Sequence, residues 1–452
     1  MPSETQKPAP RRSYALPIGI MFALFFMIAF VTGYQNPLGE VIKKMTGGNT
    51  VLTQLGTLCN FIAYAFMGYP AGKLLERSGY RVTALGACAV GFLGVLITYM
   101  SGMIPDNTHA VVVYMIGAFV AGFSMCMLNT VVNPMLNSLG RDQKQGNQLV
   151  QFGGSCNSLG ATLAPVIVGG LIGGSASSIA SANPVFYMAM AIFALAFAVI
   201  YFSDLPEAPG FGRPKAKKEK LRIADALRYS NFRWGLLCIF CYVGIEVGLA
   251  NWTLQYLINS EIVITGNPLF EAAAIAGTVV GIYWLLMLVG RLLGGIVGGR
   301  VSSRAMMLFT SALGIALVIC GIYLPETQVP FIGFDSNHML FSVVNIPLNA
   351  ILLIACGLCT SVQWGATFNL AVEGLGKYTA IASGLFMVMV CGGGIFPMIQ
   401  GFFADASIIG SFWLIVALWA YMFLYGLRLS KPDRREPQRR EILEEDGVPA
   451  EL

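Results

Sequence analysis

Twelve long apolar stretches, separated by short polar segments, constrain the fold of this chain more than any other feature. They lie at about 14–36, 51–74, 82–103, 110–137, 147–173, 184–203, 233–257, 271–298, 305–324, 341–369, 379–403 and 408–428. A helix needs about 20 apolar residues to cross a bilayer, so each stretch can form one transmembrane helix. The chain is 56% hydrophobic and 11% charged, which excludes an ordinary soluble protein. The sequence therefore predicts an all-α membrane protein with twelve transmembrane helices.

The longest hydrophilic interval, at 204–232, separates six stretches from six. It contains three prolines and the basic run KAKKEKLR, and we interpret it as a cytoplasmic linker between two six-helix bundles at 14–203 and 233–428. The remaining segments, 1–13 and 429–452, are predicted tails. Gly140-Arg141 after the fourth stretch is echoed by Gly376-Lys377 after the tenth. Two pseudo-symmetric bundles around a central cavity are typical of alternating-access transport.

The basic residues predict the orientation of the chain in the membrane. If the N-terminus is inside, the tails and the inner loops carry 25 of the 28 Lys and Arg residues. Lys43 and Lys44 then lie outside, and Arg291 lies within the membrane. Because inner loops are enriched in Lys and Arg, we expect both termini in the cytoplasm. The net charge of +5 follows from this bias, so we expect contact with lipid and none with nucleic acid.

Glu246 and Arg291 stand alone inside long apolar stretches. An ionised side chain at mid-membrane costs roughly 2.5–3.5 kcal/mol on insertion scales, so both indicate a wet interior lined by protein. Three roles remain open for Glu246. It is a proton carrier whose affinity for the proton depends on the distance to Arg291, a sodium ligand, or a permanent structural partner of Arg291.

The residue types that build catalytic centres are sparse or misplaced in this chain. All ten cysteines fall within the apolar stretches, and the two histidines lie in or beside outward loops. No nucleophile, base and oxyanion set can be assembled from the remaining residues. We therefore expect no enzyme activity, no disulfide, no metal and no cofactor beyond a coupling H+ or Na+.

A short charged turn follows the second stretch. Its sequence is GKLLERSGYR, with Gly72, Glu76, Arg77, Gly79 and Arg81. It resembles the signature of the loop between spans two and three in the major facilitator superfamily, which more often has Asp where this chain has Glu76. Glycines permit a tight turn, and the charges can pair across the two bundles. We therefore expect these five residues to form a conformational gate.

Further segments resemble the fucose and glucose/galactose sugar-transporter branch of that superfamily. They are Asn133-Pro134, Asn157-Ser158, CYVGIEV with Glu246, Trp284 with GRLLGG at 290–295, SVQW at 361–364, and VMVCGGGIFPMIQG at 388–401. The resemblance covers nearly the whole membrane region. It implies a bacterial inner-membrane protein with the major facilitator fold that transports a sugar.

The chain departs from the branch pattern at its carboxylates. That pattern has an Asn-Asp pair at the end of span one and a Glu before the Asn-Pro of span four, where this chain has Gln35-Asn36 and Asn129. The branch's glutamine in span five is replaced by Gly154. Amides can hold sugar hydroxyls and cannot carry a proton. Glu246 is therefore the obvious intramembrane carboxylate left for coupling, with Arg291 as its partner.

Sugar recognition requires amides, carboxylates and indoles that line a cavity. We expect substrate contacts from Gln35, Asn36, Asn129, Asn133, Asn157, Trp284, Gln363, Trp364 and Asn369. Each amide has an alternative role, which is a hydrogen bond that only packs two helices. The run Gly33 to Pro37 predicts a break in span one. We place Trp252 in the interfacial aromatic belt, and Gly392 to Gly394 at a hinge or close-packing site.

The sequence thus predicts a monomeric secondary transporter that takes up a neutral monosaccharide, a hexose or an amino sugar, in symport with a cation. An uncoupled sugar facilitator and a transporter of another small polar solute remain alternatives. A membrane receptor that keeps the fold without transporting is an alternative from a different class.

Overall fold

The structure is a computed structural model that describes residues 14–47, 51–140, 143–172, 178–206, 223–260, 272–297, 300–335, 340–375 and 379–431. The helices before residue 207 are α1 (Ala15–Gly33), α2 (Gln35–Met45), α3 (Leu55–Ser101), α4 (Asn107–Leu139), α5 (Gln143–Ile172) and α6 (Asn183–Phe202). Those after residue 222 are α7 (Ile223–Ala226), α8 (Ser230–Asn259), α9 (Ala272–Val297), α10 (Ser303–Tyr323), α11 (Leu348–Thr360), α12 (Gln363–Val372), α13 (Thr379–Val388), α14 (Gly392–Ala404), α15 (Ile408–Ser411) and α16 (Trp413–Leu424).

Helix α3 is two transmembrane spans joined at Gly79. Gly79 has φ of 80°, a conformation that glycine adopts without strain, and it interrupts the helical backbone. Asn60 and Gly94 lie on opposite sides of it, yet they pack against the adjacent α4 residues Gly122 and Ala121. The chain therefore folds back on itself at Gly79, as the glycine-containing turn predicted.

The transmembrane helices reach the number predicted from the sequence. Within the described ranges, ten helical segments are long and apolar enough to cross a membrane, and Val51–Ser101 counts among them once. Its reversal at Gly79 makes it two spans. Helix α5, which has 30 residues and packs between α1 and α9, supplies the twelfth.

A β-hairpin precedes the tenth span and corrects its predicted beginning. Strands β1 (Gln328–Asp335) and β2 (Leu340–Pro347) pair antiparallel, with Gln328 opposite Pro347. We predicted a helix from residue 341, which is wrong because α11 begins only at Leu348. The sequence FSVVNIP is rich in branched residues that favour strands, and β1 supplies the pairing partner. Hydropathy alone did not separate this strand from the helix that follows.

We name the two ends of the helix bundle by the chain segments found there. The hairpin end holds β1 and β2, and the terminal end holds Tyr14 and Lys431. Between the halves, α5 packs along α9, and α3 packs along α13 and α14. The predicted linker falls largely on residues 207–222, and the Arg141 and Gly376-Lys377 echoes also lie outside the described residues.

The three glycines Gly392 to Gly394 form the close-packing site that the sequence predicted. A Cβ atom at Gly392 would collide with the carbonyl oxygen of Phe240 on α8. One at Gly393 would lie 2.8 Å from a Val243 methyl group, and one at Gly394 would lie 2.9 Å from the Cα atom of Leu58 on α3. The absence of side chains here lets α14 approach α8 and α3 of the opposite half closely.

Candidate functional site

The two isolated intramembrane charges meet at the centre of the molecule. Arg291 Nη2 on α9 donates to Glu246 Oε1 on α8 across 3.3 Å, and the two side chains are 10% and 13% exposed. Neither stretch of sequence carries another charge at this depth. Because burying one charge alone is costly, the pair accounts for the survival of both residues in apolar helices.

Arg291 also joins the two halves of the chain. Its Nη1 donates to the carbonyl oxygen of Gly154 at 2.6 Å and to the hydroxyl of Ser158 at 2.9 Å, both on α5. A Cβ atom at Gly154 would lie 3.6 Å from the Arg291 side chain, so the glycine leaves room for the guanidinium. One planar group with several fixed donors thus holds α5, α8 and α9 together.

Two tyrosines and a tryptophan surround Glu246. The Tyr283 hydroxyl donates to the backbone oxygen of Glu246 at 3.1 Å and lies 3.2 Å from the Thr360 hydroxyl. The Tyr242 hydroxyl lies against both Glu246 and Arg291. The ring of Trp364 on α12 meets the Tyr242 ring edge-on at 6.1 Å. An acid, a guanidinium, a phenol and an indole therefore share one small region.

Glu246 is less buried than the residues around it on α8. Between Cys241 and Leu257 it is the one residue of α8 that is not buried, and every position in this interval is described. A helix packed on all sides can expose a central residue only to an internal space. The carboxylate is therefore partly accessible in the interior, beside the Arg291 side chain that also contacts α5.

Three predicted asparagines lie half-buried on the first half of the chain. The side-chain nitrogen of each asparagine donates a hydrogen bond. Asn129 donates to the Tyr64 hydroxyl at 2.9 Å, Asn133 donates to the carbonyl oxygen of Asn129 at 3.0 Å, and Asn157 donates to the carbonyl oxygen of Phe25 at 3.0 Å. Among the described residues, no donor reaches their side-chain oxygens. Each asparagine keeps an acceptor for a ligand hydroxyl.

Gln35 is enclosed between helices. It is 2% exposed, and its oxygen accepts a hydrogen bond of 2.5 Å from the Tyr114 hydroxyl where Gly56 of α3 leaves space. The predicted break in span one is confirmed, because α1 ends at Gly33 and α2 begins at Gln35. The backbone of Asn36 belongs to α2, and its side chain lies outside the described part of the structure.

The neighbours Gln363 and Trp364 face different surroundings. Gln363 donates to Thr310 and Ser311 at 3.2 Å and accepts from the Trp419 indole at 3.0 Å, so it joins α10, α12 and α16. Trp364 turns toward Tyr242 and the central charges. The structure therefore brings Trp364 to the Glu246 region and leaves Gln363 in a separate polar cluster.

The two remaining predicted substrate contacts, Trp284 and Asn369, lie in different parts of the structure. Trp284 of α9 is half-buried, and its ring meets that of Tyr283 at 5.1 Å, beside the Thr360 hydroxyl and the Glu246 backbone. Asn369 is exposed near the terminal end of α12 and donates to Ser303 at 3.4 Å. Trp284 thus contacts Tyr283, which bonds to the Glu246 backbone, whereas Asn369 is not part of this group.

The predicted gate lies at the terminal end. Arg81 donates to the carbonyl oxygen of Tyr201 on α6, within its own half. Glu76 and Arg77 are exposed, and a Cβ atom at Gly72 would meet nothing within 4 Å. The structure thus confirms the glycine turn at Gly79 and ties Arg81 to α6, while pairing across the bundles stays a prediction.

At the hairpin end, the halves are joined by a polar contact that sequence reasoning missed. Asn251 of α8 donates to the Gln54 side chain at 2.7 Å, and Gln255, one turn further, donates to Glu40 of α2. We call these four residues the hairpin-end contact. The spacing of Asn251 and Gln255 by four residues is the signal that they share a helix face.

Trp252 corrects another expectation. We placed it in an interfacial aromatic belt, but it is fully buried and donates to the carbonyl oxygen of Pro397 at 2.9 Å. The buried indole N–H needs a hydrogen-bond partner, and the backbone carbonyl of Pro397 supplies it.

Comparison with known proteins agrees with this architecture. The family model of the Major Facilitator Superfamily matches residues 20–398. A glucose/galactose transporter of Brucella abortus is 27% identical over 433 residues, which are 93% of this chain and 96% of that protein. The L-fucose-proton symporter of Escherichia coli is 23% identical over 423 residues, 88% of each chain.

Solved structures share the fold. The transporter FucP in its outward conformation has a TM-score of 0.67 at 20% identity and covers 93% of this chain and 100% of its own. A D-xylose-proton symporter has a TM-score of 0.63 at 14% identity and covers 92% of this chain and 98% of its own. With its family model matched over most of its length, this chain belongs to the major facilitator superfamily.

Proposed function

We propose that the protein is a secondary active transporter that takes up a neutral monosaccharide of the hexose or amino-sugar class by alternating access. The observation that carries this proposal is the contact between Glu246 and Arg291 at the junction of the halves, with Trp364 packed against the neighbouring Tyr242. Their opposite charges cancel, so the centre suits an uncharged solute. Carboxylate and asparagine oxygens accept from hydroxyl groups, and the indole can pack on the C–H face of a sugar ring.

The relatives support the same substrate class. They are named as glucose/galactose transporters and an L-fucose-proton symporter, and they match nearly the full length of this chain. We propose a multi-pass protein of the bacterial inner membrane, active as a monomer, with both termini in the cytoplasm. The hairpin end would then face outward, and the hairpin-end contact would close the outer side.

Proton coupling through Glu246 is the mechanism that the central contacts favour. Arg291 is held more closely by α5 than by Glu246, at 2.6 and 2.9 Å against 3.3 Å. Protonation of Glu246 would weaken its hold on Arg291 and leave the contacts to α5 in place. A proton on Glu246 would therefore change the balance of contacts between the halves, which a symporter requires. Sodium coupling and uncoupled transport are the competing outcomes of the test.

The test is uptake of labelled hexoses and amino sugars into proteoliposomes under a proton gradient, a sodium gradient or no gradient. We expect one sugar to accumulate above equilibrium only with a proton gradient. Glu246→Gln should abolish this accumulation, whereas Asp405→Asn, which changes an exposed carboxylate, should leave it intact.

Each other result decides against part of the proposal. Accumulation with a sodium gradient alone would contradict proton coupling. Equilibration that ignores every gradient would identify a facilitator and make Glu246 a structural partner of Arg291. The absence of uptake across the whole panel would contradict the sugar assignment and favour another small polar solute or a receptor.

A further inference from the structure

Tyr242 carries a buried hydroxyl without a hydrogen-bond partner. Its side chain is 0% exposed, and no described group meets the hydroxyl in hydrogen-bond geometry. Buried polar groups in native proteins are nearly always satisfied, so an exception calls for an explanation. Among the residues that the structure describes, Tyr34 is the other buried tyrosine whose hydroxyl has no partner in hydrogen-bond geometry, and its ring packs edge-on against Phe186 at 6.1 Å.

The surroundings of Tyr242 differ from those of the satisfied tyrosines. Tyr283 is almost as buried, and its hydroxyl has both the Glu246 backbone oxygen and the Thr360 hydroxyl as partners. The hydroxyl of Tyr242 instead lies close enough to the Glu246 carboxylate and the Arg291 guanidinium to interact electrostatically with both. It meets neither group in hydrogen-bond geometry. Tyr242 precedes Glu246 by four residues on α8, so both side chains lie on one helix face.

Glu246 keeps capacity to accept further hydrogen bonds. An ionised carboxylate has about four acceptor positions, and the described structure fills one of them, with Arg291 Nη2 on Oε1. Glu246 is also the one residue between Cys241 and Leu257 that is not fully buried. A donor that reaches the Glu246 carboxylate therefore comes next to the Tyr242 hydroxyl, which is buried against the same carboxylate.

The aromatic wall beside Tyr242 completes the geometry. Trp364 meets Tyr242 edge-on at 6.1 Å and Phe386 at 5.7 Å. Tyr242 and Phe386 are fully buried, whereas Trp364 is only partly buried. An indole next to a carboxylate and a phenol suits a pyranose, whose C–H groups pack on the ring while its hydroxyls find polar partners.

We propose that Tyr242, Glu246 and Trp364 form a subsite for one hydroxyl of a sugar ring, and that Tyr242 determines specificity at that position. The ligand hydroxyl donates to the Glu246 carboxylate and accepts from the Tyr242 hydroxyl. Tyr242 thereby gains the partner that it lacks in the structure. The inference rests on the proposed function and adds Tyr242, which was not among the substrate contacts expected from the sequence.

The experiment compares binding of the transported hexose and its single-deoxy analogues to the purified protein, by competition with the labelled sugar. Wild type, Tyr242→Phe and the matched control Tyr34→Phe are measured together. Tyr242→Phe should weaken binding of the hexose about tenfold, the factor expected from one hydrogen bond. Tyr34→Phe should bind like wild type, because its hydroxyl lies away from the charged pair.

One analogue identifies the contact. For the sugar that lacks the hydroxyl bound by Tyr242, wild type and Tyr242→Phe should bind equally, since the bond is absent in both. Equal weakening for every analogue, or none for any sugar, would contradict the subsite. A lowered midpoint of thermal unfolding in Tyr242→Phe would contradict it too, since it would show that the hydroxyl has a structural partner. If wild type binds no sugar, the proposed function itself fails, and the subsite with it.

Discussion

Two buried polar clusters, one centred on Gln363 and one on Arg291, contain similar residue types but differ in how completely their hydrogen bonds are satisfied. The Gln363 cluster, with Thr310, Ser311 and Trp419, lies within one half, and both ends of the Gln363 amide are bonded. The Arg291 cluster crosses between halves, with a carboxylate that has free acceptor positions and a phenol without a partner. A fully satisfied cluster fixes helices, whereas one with spare capacity can take a ligand.

The largest expected effect comes from removing Arg291. Arg291→Met leaves Glu246 as an uncompensated buried charge, which should destabilise the fold by about 3–5 kcal/mol and abolish uptake. The double variant with Glu246→Gln should recover stability and not uptake. Thermal unfolding in detergent and uptake in proteoliposomes measure the two effects. A double variant as unstable as Arg291→Met would show that the pair is not the source of the loss.

The second-largest effect is expected for Gln363→Leu, which should lower the stability of the protein without changing substrate binding. It leaves the Trp419 N–H and two hydroxyls without their partner, which costs about 1–3 kcal/mol of unfolding free energy. The KM of the folded protein should match that of wild type. Gln400→Leu is the comparison, because Gln400 makes a single bond, to Ser411, and should cost less. A raised KM in Gln363→Leu would contradict a purely structural role for the Gln363 cluster.

The hairpin-end contact is a second junction between the halves, and weakening it should have a smaller effect than changing either cluster. Asn251→Ala removes the bond to Gln54, so the closed state should lose about 1 kcal/mol, or roughly fivefold in population. The measurement is the rate at which Thr53→Cys, in a Cys59→Ala background, reacts with an impermeant maleimide. Asn349→Ala is the control, since Asn349 bonds to Tyr256 within the same half. Equal rates in both variants would contradict a role in closure.

Asn369→Ala should have the smallest effect. The residue is exposed and makes one long hydrogen bond to Ser303, so stability should change by less than about 0.5 kcal/mol. Its KM should equal that of wild type in the same uptake assay. An increase in KM would show that Asn369 contacts the substrate. It would contradict the assignment of substrate binding to the Arg291 cluster alone.

Much of the fold could be predicted because its signals are local. A run of apolar residues specifies a span wherever it occurs, and the glycine turn at Gly79 and the interruption before Gln35 depend on a few neighbouring residues. The hairpin before α11 was missed because its strand is as apolar as a helix, and only pairing with β1 distinguishes it.

Of the candidate site, the sequence by itself determined that Glu246 and Arg291 needed a polar interior lined by protein, because an isolated charge in an apolar helix is costly. The tertiary structure showed that the two side chains contact each other. Only the tertiary structure decided which amides face the centre. It separated Gln363 from Trp364 and placed Tyr242 beside Glu246. The physical reason is that a transmembrane helix is apolar on every side, so its sequence carries little periodicity to show which face meets lipid, protein or the internal space.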